Sequence, residues 1–215
     1  MKYYKVLGKG GVPCNGGTGQ WSLPMGKKPG GWMPKIDNIV PCQRGYHLCR
    51  AEDLICWLNE EIYEAEGRGK SIRHENKDVF EQARLIRKIE TWNERTDRLF
   101  AVDCAEHVLP IFEKQYPNDD RPRKAIHAAR DFVDGKISKE SLDAARDAEG
   151  RVAWTGDVAW AAGGAVWAAG TAVWAAWDVA WARDVAWDVA GAVAEAAERK
   201  WQTERLFYYL QEQLT

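Results

Sequence analysis

The sequence predicts an α+β protein: a small basic, sheet-containing domain over residues 1–95, then an all-α, Ala/Trp-rich helical domain over residues 96–215. Three observations predict it. Residues 1–48 alternate short apolar runs with Gly and Pro clusters, the pattern of short strands and turns. From Thr96 onward the apolar residues recur at helical spacing. Residues 151–199 form a biased tract of Ala, Val and Trp with a seven-residue beat.

Taken in order, Tyr3–Leu7 and Gly45–Leu48 read as strands. Glu52–Leu58 places Leu54, Ile55, Trp57 and Leu58 at helical spacing, and Glu61–Glu66 reads as a strand ending at a Gly67-Arg68-Gly69 turn. Asp78-Val79-Phe80-Glu81 has the capping-box form, which predicts a helix from Val79 to about Glu90, with a strand over Arg84–Ile89 as the alternative. The first domain ends near Asn93–Thr96. Thr96 then caps a helix carrying Leu99, Phe100, Val102, Val108 and Leu109, which Pro110 is expected to kink or divide. Asp119 or Asp120 opens the next, with Pro122 in its first turn and Gly135 stopping it. Ser138 opens a third, closed by Gly150.

In the biased tract Trp160, Trp167, Trp174 and Trp181 are each seven apart and each is followed by Ala. Indoles alternating with Ala and Gly suit close helix packing, because small residues leave shallow holes that large rings fill. Gly163-Gly164 and Gly170 favour shorter helices over one rod. Val158–Trp177 is twenty residues without a charge, long enough for a membrane span. The same repeat continues through Asp178, Arg183, Asp184 and Asp188, however, and that predicts a water-soluble helical core.

Composition narrows the function classes. Thirty Lys+Arg stand against 32 Asp+Glu, a formal net charge of -2, so no whole-protein field draws the chain onto nucleic acid. The charge is unevenly placed. Residues 1–50 hold eight basic residues and one acid, Asp37, together with ten of the nineteen glycines; the remainder holds 22 basic against 31 acidic. Positive charge beside exposed main chain suits a phosphate or carboxylate guest. The opening Met1-Lys2-Tyr3-Tyr4-Lys5 lacks an apolar signal region, and with an odd set of five cysteines it predicts a cytoplasmic setting with free thiols. Cys42, Cys49 and Cys56 are seven apart, without the Cys-x-x-Cys pairs that zinc sites use, so neither metal nor cofactor is expected.

The chemical motifs are sparse. Gly8-Lys9-Gly10-Gly11 and Gly16-Gly17-Thr18-Gly19 lack the Rossmann and Walker spacings. No nucleophile elbow and no kinase set occurs. His47, in Gly45-Tyr46-His47-Leu48-Cys49, sits where strand alternation sets it opposite Tyr46 and Leu48. Asp103, Glu106 and His107 fall near one helical face, either as an acid/base or metal cluster or as a solvated face, of which the second is favoured. Arg121 and Arg123 lie in the first turn of a helix, where free N–H groups already attract anions; pairing with neighbouring acids is the competing reading.

Leu99-Phe100-Ala101-Val102-Asp103-Cys104-Ala105-Glu106-His107-Val108-Leu109, with Arg121-Pro122-Arg123-Lys124-Ala125-Ile126 and the Ala-rich end, resembles a helical family of immunity proteins of bacteria and phages over roughly residues 97–199. Trp stands where that family usually carries histidines in its Ala-rich part, so no metal or catalytic role is carried over to it. Gly45–Cys49, the Asp53–Leu58 helix and Ile62–Glu66 are similar to an uncharacterised domain common in phage genomes, and more distantly to the ADP-ribosyltransferase-like fold. These resemblances imply a setting of conflict between viruses and bacteria.

Three readings follow. The preferred one is a non-catalytic phage counter-defence protein, in the host cytosol, that sequesters an anionic nucleotide-type signal. Lys27, Lys28, Arg44, His47, Arg121 and Arg123 would hold the anion, and Trp21 or Trp32 would stack on a base. The helical half then serves as a support or as a homo-oligomer face. The second is an immunity or inhibitor protein gripping a toxin or defence enzyme through a protein interface. The third is a degenerate transferase acting on NAD-type substrates through His47 with Glu64 or Glu66.

Overall fold

In the computed structural model, which describes residues 2–149 and 195–212, four antiparallel strands close on one another in the order β1-β2-β4-β3. They are β1 (Tyr3–Leu7), β2 (Tyr46–Arg50), β3 (Glu61–His74) and β4 (Lys77–Lys88). β1 pairs with β2 through Tyr3↔Arg50 and with β3 through Tyr3↔Ala65 to Leu7↔Glu61. β4 pairs with β2 through Tyr46↔Phe80 to Leu48↔Asp78, and with the whole length of β3. Leu7, Trp21, Leu48, Tyr63, Ala65, Phe80, Ala83 and Leu85 fill the barrel. Each large side chain so buried contributes roughly 1.5–3 kcal/mol.

The segment between β1 and β2 is anchored to β4. The N–H groups of Gly30, Met33 and Ile36 donate to Leu85, Ala83 and Glu81, each at 2.9 Å. A donor every third residue is the period of a polyproline-II turn, which suits Pro29-Gly-Gly-Trp-Met-Pro34. This strap covers the edge of β4 beyond its pairing with β2.

Three local expectations are corrected here. Asp78-x-x-Glu81 caps no helix, because both acids have other partners. Asp78 accepts from Tyr3 Oη at 2.7 Å and Arg50 Nη1 at 2.5 Å, and Glu81 accepts the Lys70 N–H at 3.1 Å. The strand alternative holds, over Lys77–Lys88. Gly67-Arg68-Gly69 makes no turn, since β3 runs on to His74 with a bulge between Arg68 and Ser71. A Cβ on Gly67 would lie 2.3 Å from Phe80 Cγ, so that glycine answers to packing. The Glu52–Leu58 helix is a 3-10 turn, Ala51–Trp57. Arg50 and Asp53 pair at 2.5 Å across i,i+3, the spacing that a 3-10 turn eclipses.

The helices are α1 (Glu94–Gln115), α2 (Arg121–Val133), α3 (Lys139–Glu149) and α4 (Glu195–Leu210). Pro110 does not divide α1, because it and Glu106, whose carbonyl loses its donor, are both on the solvent side. Gly135, at φ +71°, ends α2, and Ser138 Oγ accepts the Ser141 N–H at the start of α3. Met1–Asn93 with Phe207–Thr215 form one compact unit and Glu94–Leu206 the other. Within the first, Phe207 meets the Tyr4 ring edge-on at 5.8 Å and Leu210 O accepts from Thr91 Oγ1. No helix among the described residues is long and apolar enough to cross a membrane. The Trp heptad at 160, 167, 174 and 181 lies outside the described residues.

Candidate functional site

Two sets of residues carry chemistry, one in each unit. In the first, tight turns display the basic residues. Met25 and Lys28 exchange two backbone bonds of 3.0 Å around Gly26, at φ +58°, which leaves Lys27 and Lys28 exposed at the tip. Val40 and Arg44 close a second turn at 2.7 and 2.8 Å, with Cys42 at φ +63° and Arg44 exposed. His47 holds this turn: its Nε2 accepts the Cys42 N–H at 2.9 Å. Burial, and then the charges of Lys5 and Lys77, hold the His47 imidazole below its usual pKa, which keeps that acceptor lone pair available.

The aromatic residues are less available for stacking than the sequence suggests. Trp21 is 8% exposed within the barrel core, with the Tyr46 ring edge-on at 5.6 Å and the Lys5 ammonium over it at 5.3 Å. That burial makes it a core residue and not a platform for a base. Lys5 also reaches His47 O at 3.4 Å, so Trp21 and His47 share one neighbour. Trp32, half-buried on the strap, carries the guanidinium groups of Arg68 and Arg84 at 4.0 and 4.7 Å from its ring centre. Among the described residues, Lys27, Lys28, Trp32, Arg44 and His47 share no side-chain hydrogen bond, ion pair or ring contact with one another. Glu64 is taken by Lys2 and Arg87, and Glu66 by Arg84, so neither carboxylate proposed to work with His47 is presented to it.

Arg121 and Arg123 belong to the second unit, and both are paired with acids. Arg121 grips Asp119 with Nε and Nη2 and holds its carboxyl below the usual range. Arg123 grips Glu113 at 2.8 and 2.6 Å. The competing reading, internal pairing, therefore describes both side chains.

The constellation on α1 is more developed than the sequence implied. Asp103, 5% exposed, receives Arg130 Nη2 from α2 at 2.8 Å and Arg205 Nε from α4 at 2.6 Å. Arg130 also reaches Glu106 at 2.5 Å. One turn away, His107 Nδ1 bonds the buried Glu198 carboxylate at 2.6 Å, and the Trp201 indole stacks on the imidazole at 3.7 Å with the planes 3° apart. Gln202 Nε2 donates to the other Glu198 oxygen at 2.9 Å. Glu198 and Trp201 both reach His107, and Gln202 reaches Glu198, because i, i+3 and i+4 share a helix face. The expected solvated face holds for Glu106 and His107, which are exposed, while buried Asp103 and Glu198 join that face to α2 and α4 in a polar junction of three helices. Sequence reasoning missed Glu198, Trp201, Gln202 and Arg205, and it did not connect Arg130 to Asp103 and Glu106. No His/Cys/Asp/Glu group suited to a metal occurs among the described residues.

The comparisons with known proteins point to the same helices. No curated protein and no solved structure matches the chain. The profile of the family described as Imm-5 like putative immunity protein matches residues 87–207, more than half of the sequence, and spans α1, α2 and the polar junction. The chain belongs to that Imm-5-like immunity protein family.

Proposed function

We propose that this protein neutralises a toxin or a defence enzyme by binding it through a protein interface. The observation that carries this reading is the cross-helix bonding of the junction inside the family-matched segment. Asp103, Glu106, His107 and Glu198 are each bound to a side chain of another helix, and the junction is built to hold a shape. Hydrogen bonds and ion pairs between helices rigidify a scaffold, and rigidity lowers the ordering cost of binding a partner.

The test is a tagged chain recovered from cells that make it and analysed by native mass spectrometry. The expected result is a stoichiometric complex with one protein, whose activity falls as purified chain is titrated in. A small-molecule adduct with no protein partner would reverse the conclusion. That outcome would favour the second reading, a phage counter-defence protein that sequesters a nucleotide-type anion. One observation supports it: Lys27, Lys28 and Arg44 are exposed on tight turns with no carboxylate within ion-pair distance among the described residues. Charge reversal at those three positions would then abolish the adduct.

A further inference from the structure

β3 outruns its neighbour on one side. Its pairing with β1 ends at Ala65, whereas its pairing with β4 continues to His74, so residues 66–73 have a strand on one side only. Among the described residues, no backbone bond closes that open edge. The corresponding edge of β4 is treated differently, because the strap from Gly30 to Ile36 bonds it at three points. Residues Arg68–Arg73 are all exposed, on both faces of the ribbon, and Ile72 adds an apolar side chain that is 36% exposed.

Charge selects what can pair there. Arg68, Lys70 and Arg73 have no carboxylate within ion-pair distance among the described residues, while three acids of the same hairpin are engaged and exposed Glu75 stands at its tip. Glu66 holds Arg84, Asp78 holds Arg50, and Glu81 accepts the Lys70 N–H. Arg68 leans over β4, with Nε donating to Gln82 Oε1 at 3.0 Å and its guanidinium over Trp32, so Lys70 and Arg73 are the cations without such a contact. Basic residues on an open edge repel neutral and basic strands, which is one way proteins prevent aggregation. The same residues favour a strand that brings negative charge.

We propose that the open edge of β3, residues 66–73, is a docking site for an extended acidic polypeptide segment, added as a fifth strand and paired with Arg68, Lys70 and Arg73. Main-chain bonds supply the affinity and the three cations the selectivity. The proposal rests on the inhibitor reading for who supplies the segment, and not for the site itself, which precedes the family-matched residues.

The probe is a fluorescein-labelled peptide of about ten residues alternating Val and Glu, titrated into the full chain at low salt. Expected are saturable binding, slowed amide exchange confined to residues 66–73, and affinity at least about tenfold weaker for the R68E/K70E/R73E variant. The same peptide N-methylated at alternate residues, and a Val-Lys peptide, should not bind. Equal binding by the N-methylated peptide, equal binding by the variant, or no binding at all would overturn the site. Tighter binding by a DNA oligonucleotide or by inorganic polyphosphate would overturn it in favour of a phosphate ligand. The two readings fail separately. An R68E/K70E/R73E chain that still forms the stoichiometric complex removes the edge and keeps the inhibitor, whereas peptide binding by a chain that captures no protein does the reverse.

Discussion

Replacing Asp103 by Asn tests whether the three-helix junction holds the helical unit together. The carboxylate is 5% exposed and joins two cations from two other helices, Arg130 at 2.8 Å and Arg205 at 2.6 Å. Asn keeps the volume and removes the charge. Breaking a fully buried ion pair costs about 3–5 kcal/mol, because the remaining charge is stranded. Here the arginine side chains are 32% and 35% exposed and can turn to water, which lowers the cost to about 2–3 kcal/mol. For a unit of this size that is a fall in melting temperature of roughly 10 °C. Differential scanning calorimetry measures it, and amide exchange over Glu198–Arg205 should accelerate in parallel. An Arg205→Gln variant, combined with Asp103→Asn in a double-mutant cycle, should show coupling of about 1 kcal/mol or more. Asp103→Asn within about 0.5 kcal/mol of the parent, the range of ordinary surface changes, would refute the reasoning.

Other outcomes follow from single contacts. Gly67→Ala puts a methyl 2.3 Å from Phe80 Cγ and should cost about 1–3 kcal/mol in urea unfolding, whereas a turn glycine free of such contact would cost less. His47 binds its proton less readily in the folded chain than unfolded, chiefly through burial. Its contribution to stability is therefore complete above about pH 6.5 and falls away as pH drops below that value. His47→Gln should flatten the urea midpoint against pH between about pH 7 and 5, and parallel curves would contradict this. Burial pushes the Cys49 thiol up to about 12, and Cys104 is fully buried, so a thiol reagent at neutral pH should label exposed Cys42 first and reach those two only on unfolding.

Periodicity made α2 legible before any coordinates: Pro122 in the first turn and Gly135 at the stop are local signals, and both ends fall where they place them. The strands were harder to read, because Gly67 and Asp78 imitate local signals while answering to distant partners. Phe80 requires the glycine and Arg50 the carboxylate, and neither requirement is visible within a few residues of chain. The junction shows the same limit. Asp103, Glu106 and His107 announce a shared face, but Glu198 and Arg205 lie about a hundred residues on, past the Trp heptad, where no spacing rule connects them. Arg121 and Arg123 illustrate the reverse error. A helix N-terminus attracts anions in general, but here Asp119 accepts the Arg121 N–H and side chain, and the Arg123 guanidinium holds Glu113.

The basic character of the first unit arises from where its acids are spent. Glu61 takes Lys88, Tyr63 Oη and the Gly11 N–H; Glu64 and Glu212 share Lys2 and Arg87; Asp78 holds Arg50 and Tyr3. Each of these carboxylates stitches strands or termini together and is neutralised in doing so. Lys27, Lys28 and Arg44 on their turns, and Arg68, Lys70 and Arg73 on the outer half of β3, are left without such partners among the described residues. A simple count of charges would spread the positive excess over the whole unit. Pairing concentrates it on segments whose residues are exposed, where a screened interaction with an acidic partner still acts within about 8–10 Å at moderate salt. Association through this surface should therefore weaken steeply between low and high ionic strength, while the melting temperature, set by buried contacts, changes little. A binding constant indifferent to salt would mean that the cations are bystanders.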